Sequence, residues 1–243
     1  ADHTKLGGSG GKDDRSTGES RVLSTTDLPI QLAGQWLQLL PERAVYWPGQ
    51  RALLLADLHL GKAAAFRRAG VPVPAGQSAA TLTRLSALID HWQPERVYWL
   101  GDILHTSLAT DRDLEARLHA WLEGHPGVQF HAVPGNHDAA LERLTPALTL
   151  LTEGTQRDGL ALCHYPDEAT PSAQPWIAGH LHPVVRLSGG GDALRLPAFI
   201  IRGDQGLILP AFGEFTGGAP VGPGDGCRRL VTTGARVIEV GRD

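Results

Sequence analysis

Five short polar clusters each follow directly on an apolar run. This repeated join of buried strand to ligand-rich turn constrains the fold more than any other feature of the chain. The clusters are Asp57-Leu58-His59, Gly101-Asp102, Gly135-Asn136-His137-Asp138, His164, and Gly179-His180-Leu181-His182. A continuous apolar run such as residues 52–56 (ALLLA) reads as a strand covered on both faces. Polar residues just past such strands converge, because sites in α/β sheets form beyond the carboxyl ends of the strands. On an extended segment, residues i and i+2 point to one face. Asp57 is therefore expected to act with His59, and His180 with His182, on one metal centre.

The pattern around these joins predicts the fold class. Residues 44–47, 52–56, 96–100 and 128–133 read as strands. They alternate with helix-compatible segments at 61–69, 77–92, 114–122 and 138–144. Residues 31–40 read as a short helix or an edge segment. After residue 148 the chain reads as short strands: 148–152, 155–164, 176–178, 184–187, 194–202, 207–209 and 229–240. Such a chain is α/β, with two packed sheets flanked by helices. Its 243 residues suit one domain, assigned to residues 25–243. Residues 1–24, rich in Gly, Ser and charge, read as a disordered tail or a cloning remnant.

No run approaches the ~20 apolar residues that a bilayer span requires, so no membrane partner is expected. Two isolated cysteines, Cys163 and Cys227, read as reduced thiols of a cytoplasmic protein. On a strand, Leu160, Leu162 and His164 share one face, which leaves Cys163 on the other as a buried thiol. The net charge of -4 argues against a protein that coats nucleic acid through many phosphate contacts. A local basic patch stays compatible with it.

The polar clusters supply two carboxylates, four imidazoles and one carboxamide: Asp57, His59, Asp102, Asn136, His164, His180 and His182. With no thiolate required, this set suits manganese, iron or zinc. Asp102 is the candidate bridge between two ions. Two ions roughly 3.5–4 Å apart clamp a phosphate and lower the pKa of a shared water. Against two carboxylates and a bridging hydroxide, two divalent ions leave the site about +1, which favours an anionic substrate. Lys62, Arg67 and Arg68 read either as contacts to phosphates flanking a scissile bond or as an ordinary charged helix face. His105 either faces the cleft and touches substrate or caps the following turn. His91, His119, His125 and His131 lack motif context and read as surface or core residues.

These motifs, in this order over residues 57–182, resemble those of the calcineurin-like metallophosphoesterase superfamily. The resemblance implies a four-layer αββα sandwich of two mixed sheets flanked by helices. It implies one ion on Asp57, His59, Asp102 and His182, and a second on Asp102, Asn136, His164 and His180. It places His137 beside the leaving group, as general acid or charge stabiliser, with Asp138 orienting it. Further motifs are similar to the bacterial DNA-ligase-associated metallophosphoesterases: Ala56-Asp57-Leu58-His59-Leu60-Gly61-Lys62, Phe66-Arg67-Arg68-Ala69-Gly70-Val71-Pro72-Val73-Pro74, Pro210-Ala211-Phe212-Gly213 and Thr216-Gly217-Gly218. That likeness implies a manganese-dependent phosphodiesterase or endonuclease of nucleic acid, with DNA as substrate. It further implies a DNA-repair setting and association with an ATP-dependent DNA ligase. The reaction expected is in-line attack of a metal-bridging hydroxide on a phosphodiester. The alternatives are a phosphomonoesterase or nucleotide hydrolase on the same site, and a non-catalytic interaction scaffold. Degraded ligand motifs would signal the scaffold, and here none is degraded.

Overall fold

The computed structural model describes residues 26–105, 112–144, 146–166, 174–189, 192–214, 216–222 and 226–241. The expected tail, residues 1–24, lies outside them. Strand alternation decides how the layers stack. β4 (Ala52–Leu55) is buried throughout, and β5 (Arg96–Leu100) after its first residue. Leu53, Leu55, Val97 and Trp99 face one core, and Ala52, Leu54, Tyr98 and Leu100 face another. A strand with two apolar faces can only sit between two layers.

The first sheet runs in chain order: β1 (Leu28–Leu32), β2 (Gln35–Leu40), β3 (Ala44–Trp47), β4, β5, β6 (Gln129–Val133) and β7 (Leu148–Leu150). Pairing is antiparallel up to β4 and parallel from β4 to β7. Parallel neighbours need crossovers, and helices supply them. α1 (Lys62–Arg68) and α2 (Gln77–Trp92) connect β4 to β5, and α3 (Arg112–Glu123) connects β5 to β6. Leu82, Leu85, Leu88, Ile89 and Trp92 of α2, with Leu114, Leu118 and Leu122 of α3, pack on the outer face of this sheet.

The second sheet contains β8 (Thr155–Arg157), β9 (Leu160–Leu162), β10 (Trp176–Ala178), β11 (Pro183–Gly189), β12 (Asp192–Arg202) and β13 (Gly206–Ile208). It is completed by β14 (Ala219–Pro220), β15 (Arg228–Thr232) and β16 (Val237–Val240). Its order is β14-β11-β12-β13-β10-β9-β8, with β15 pairing both β12 and β16. The two sheets share a core in which Trp47, Leu54, Tyr98 and Leu100 meet Leu162, Ile177, Phe199 and Leu209. The result is the two-sheet sandwich expected. Among the described residues, α2 and α3 pack on the first sheet and α1 lies against α2, and the outer face of the second sheet carries a smaller apolar cluster that includes Cys163, Trp176 and Ile200.

Three segments read as single elements are hairpins. Residues 31–40 turn back at Ala33 and Gly34, both with left-handed φ (50° and 78°). Residues 155–164 do so at Asp158 and Gly159 (φ 43° and 83°). Two successive left-handed residues make the tight turn that matches strand twist, and Asp-Gly is its strongest short signal. Residues 229–240 divide between β15 and β16.

Phe199 is fully buried between the sheets. Phe199→Ala is expected to destabilise the fold by about 3–5 kcal/mol, read as a lowered midpoint in urea denaturation with an unchanged slope.

Candidate metal centre

Past Leu55 and Leu100 the chain stops being strand but goes on pairing. Asp57 N donates to Gly101 O (3.0 Å), His59 N to Asp102 O (2.9 Å) and Leu60 N to Ile103 O (2.8 Å). Asp57, His59 and Asp102 take φ values of 56°, 47° and 48°, and His180 and His182 take 71° and 47°. Residues with a β-carbon seldom enter this left-handed region, and Asp and His are among those that do so most readily. The polar clusters are therefore turns, and the two-residue period of an extended segment does not govern them. The pairing of His180 with His182 that spacing alone suggested does not hold, because the two fall into different groups.

One group is Asp57, His59, Asp102 and His182, whose ligand atoms lie within 4.8 Å of one another, and the second is Asp102, His164 and His180. Asp102 belongs to both. Its Oδ2 lies 3.8 Å from His59 Nε2, and its Oδ1 3.7 Å from His164 Nε2. His59 Nε2 and His182 Nε2 are 3.2 Å apart, and His164 Nε2 and His180 Nδ1 are 3.1 Å apart. Asp57 Oδ1 is buried, has no hydrogen-bond partner among the described residues and lies 3.3 Å from His182 Nε2. A bare buried carboxylate oxygen is costly unless a cation completes it. The donor set fits two divalent metal ions.

Burial, reinforced by His182 and Lys62, pushes the His59 imidazole down to about 2. Burial and then His164 lower His180 also. Neutral rings of this kind offer a lone pair to a metal. For His182, burial opposes the charge, but the Asp57 carboxylate outweighs it and raises the pKa.

Groups behind the ligands fix their orientation. His164 Nδ1 meets Leu100 O at 3.0 Å and His182 Nδ1 meets Thr216 O at 3.1 Å, so each ring keeps Nε2 free on the site side. Asp57 Oδ2 accepts from His180 N (2.9 Å). Glu153 accepts from the backbone N–H of His164 and of Tyr165. The Tyr165 ring lies edge-on to His164 and His180, with centroids 4.6 and 4.8 Å away. Sequence reasoning missed Glu153, Tyr165 and Thr216. Thr216 stood in a quoted motif but without a role, and Glu153 and Tyr165 stand in none. Glu153 acts upon backbone N–H groups and Thr216 through its own carbonyl, which leaves no side-chain signature. A β-carbon at Gly101 would lie 2.0 Å from His164 Nδ1, and one at Gly135 would lie 2.4 Å from Asp102 Oδ1. Only glycine lets the backbone approach these side chains so closely.

Asn136 and His137 lie exposed on the turn after β6. His137 N donates to Asp102 Oδ1 (3.2 Å), and its ring sits 5.7 Å from His59 and 5.4 Å from His105. The Asp138 carboxylate accepts from the backbone N–H of Ile103, Leu104 and Gly135. It thus ties the His137 turn to the Asp102 turn through the backbone, and no hydrogen bond joins it to the His137 ring among the described residues. The His105 ring lies beside that of His59, centroids 5.6 Å apart. Lys62 is half-buried and close enough for Asp102 and Asp57 to oppose the lowering of its pKa by burial. Arg67 and Arg68 are exposed at the far end of α1, where Arg67 donates to Pro74 O (2.9 Å). The 210–213 motif also finds its place: Phe212 N donates to Ala56 O (2.8 Å) and Gly213 N to Asp57 O (3.0 Å), which stitches the second sheet to the first beside a ligand.

The calcineurin-like phosphoesterase family matches residues 50–200. The crystal structure of the nuclease MPE of Pseudomonas putida is similar at 36% identity and a TM-score of 0.76, covering 88% of this chain and 100% of that one. Yfce, a phosphoesterase from E. coli, reaches 15% identity and a TM-score of 0.43 over 78% of this chain and 97% of that one, a likeness that carries no argument. No curated protein matches significantly.

Two outcomes test this arrangement. Glu153→Ala is expected to weaken manganese binding about 10–100-fold in a calorimetric titration, because it frees the backbone that positions His164. Manganese at about 100 times its Kd is expected to stabilise the wild-type fold by ~2.7 kcal/mol in thermal melts, and Asp102→Asn to remove most of that gain.

Proposed function

The chain belongs to the calcineurin-like phosphoesterase family, a metal-dependent phosphoesterase, and on that premise we propose that it hydrolyses phosphodiester bonds in nucleic acid, with DNA as substrate. The observation that carries the reading is Asp102, whose two oxygens each face a different group of ligands. The similarity to a nuclease over nearly the whole chain supports the choice of nucleic acid.

In this reading Asp57, His59, Asp102 and His182 hold one ion, and Asp102, Asn136, His164 and His180 hold the other. The ions are manganese. When bound, they acidify a water and neutralise charge on the phosphoryl oxygens. The chain's own residues do the rest. Asp102 fixes the spacing of the two groups. Carbonyls of Leu100 and Thr216 keep the tautomers of His164 and His182. His137, at the open side of the cleft, donates a proton to the leaving oxygen or stabilises its charge, worth roughly 10²–10⁴-fold. Asp138 holds the His137 turn in register with the Asp102 turn. Lys62 and His105 line the approach and contact the substrate, and Arg67 and Arg68 extend the basic face beyond it. Two isolated cysteines in a chain of this length suit a cytoplasmic setting. The motif likeness to ligase-associated proteins supports a role in DNA repair alongside an ATP-dependent ligase.

Hydrolysis of bis-p-nitrophenyl phosphate and of p-nitrophenyl phosphate by manganese-loaded protein tests the reading. Preference for the diester is expected, with activity abolished in Asp102→Asn and reduced about 10²–10⁴-fold in His137→Ala. Preference for the monoester would replace the nuclease reading with a monoesterase on the same site.

A further inference from the structure

Next to the metal ligand His182 lies a cleft of ≈ 170 Å³ lined by Arg43, Arg195, Thr216 and Gly217 among others. Two features of the adjoining hairpin extend it. In the β11–β12 register, Val184 faces Pro197 and Arg186 faces Arg195. Directly opposed residues two apart share one face of a sheet. Val184 and Pro197 line the cleft with Arg195, so Arg186 continues the same face about 7 Å further from the metal centre. The neighbouring pair, Leu187 and Leu194, takes the opposite face.

Two arginines directly opposed on one face repel each other unless an anion lies between or above them. Both Arg186 and Arg195 are exposed, and neither has an ion pair among the described residues. Arg195 does donate to Gly218 O (2.6 Å), which holds its guanidinium over the 216–218 segment that carries the carbonyl behind His182. Arg43 differs: it lies 3.6 Å from Glu214 and donates to Gly213 O, so its charge is partly balanced and its position fixed. The uncompensated charge therefore sits on the hairpin.

We propose that Arg195 and Arg186, with the cleft beside His182, form a binding track for the phosphates of a nucleic-acid strand that flank the bond being cut. This rests on the reading of the protein as a nuclease and adds where the strand leaves the metal centre. The ligand class is a polyanionic sugar-phosphate backbone, recognised by charge rather than by base. A chain with a net charge of -4 needs such a local track to hold a polyanion.

The test compares manganese-loaded wild type with Arg186→Ala, Arg186→Ala/Arg195→Ala and Arg186→Lys/Arg195→Lys. Two quantities are read. One is the ratio of kcat/KM on a DNA oligonucleotide to kcat/KM on bis-p-nitrophenyl phosphate. The other is the salt dependence of affinity for a phosphorothioate oligonucleotide, by fluorescence anisotropy. The track predicts a ratio about tenfold lower in the double alanine variant and a salt slope shallower by about 1 to 1.5. It further predicts a smaller loss in Arg186→Ala and near-complete retention in the double lysine variant. Arg186→Ala removes no hydrogen bond of the described structure, so its effect is not one of folding. An unchanged ratio and slope in the alanine variants overturns the track while leaving the nuclease reading intact. Wild type that binds the oligonucleotide without cutting it overturns the nuclease reading, and the anisotropy then decides the track alone. Wild type with no affinity for the oligonucleotide overturns both.

Discussion

The site depends on a backbone conformation that side chains resist. Five ligand-bearing residues, Asp57, His59, Asp102, His180 and His182, hold left-handed φ. Such residues cost of order 1–3 kcal/mol each and persist only when their surroundings over-determine them. Here the turns after β4 and β5 bond to each other like a continued sheet, from Asp57 and Gly101 to Leu60 and Ile103. The Asp138 carboxylate clamps the second of these turns, and the Pro210-Ala211-Phe212-Gly213 segment closes on the first. The strain lies where imidazoles and carboxylates must be turned inward, and ordinary strand pairing on either side contains it.

Desolvation follows from the same geometry. Asp57, Asp102 and His164 are almost wholly buried at the seam between two sheets, while His137 two residues past Gly135 is exposed. Burial pushes the His59 and His180 imidazoles toward the neutral form, while the His137 side chain stays open to solvent. Asp138 shows the tension most directly. Burial lifts its carboxyl to about 6 although three backbone N–H groups stabilise its anion. Its carboxylate fastens the Asp102 turn to the His137 turn through their backbone N–H groups.

Much of this was legible in the sequence. Long apolar runs such as residues 52–56 and 96–100 have few alternatives to buried strands, and residues 77–92 repeat their leucines at helical spacing. The ligand residues stood out because Asp and His are out of place at the ends of such runs. Hairpins were harder to see. In residues 31–40 the apolar content continues through the turn at Ala33 and Gly34, so composition hides a reversal that depends on two φ angles. In residues 155–164 the Asp158-Gly159 pair was a readable turn signal that the single-strand reading passed over. Spacing alone misplaced His180 beside His182 for a related reason, since it assumes an extended backbone that these residues do not have; the family resemblance alone set them apart. Glu153 was invisible, and Thr216 stood in a motif without a role, because both work through main-chain atoms.

The Asp57 carboxylate is held by His180 N, 123 positions further along the chain, and Arg84 reaches Glu214 across 130 positions. Contacts of such long range are made late, after loop-closure entropy has been overcome. The carboxylate at the heart of the site is thus set by a segment 123 positions away, so no single motif carries its own geometry and the centre exists only where both sheets meet.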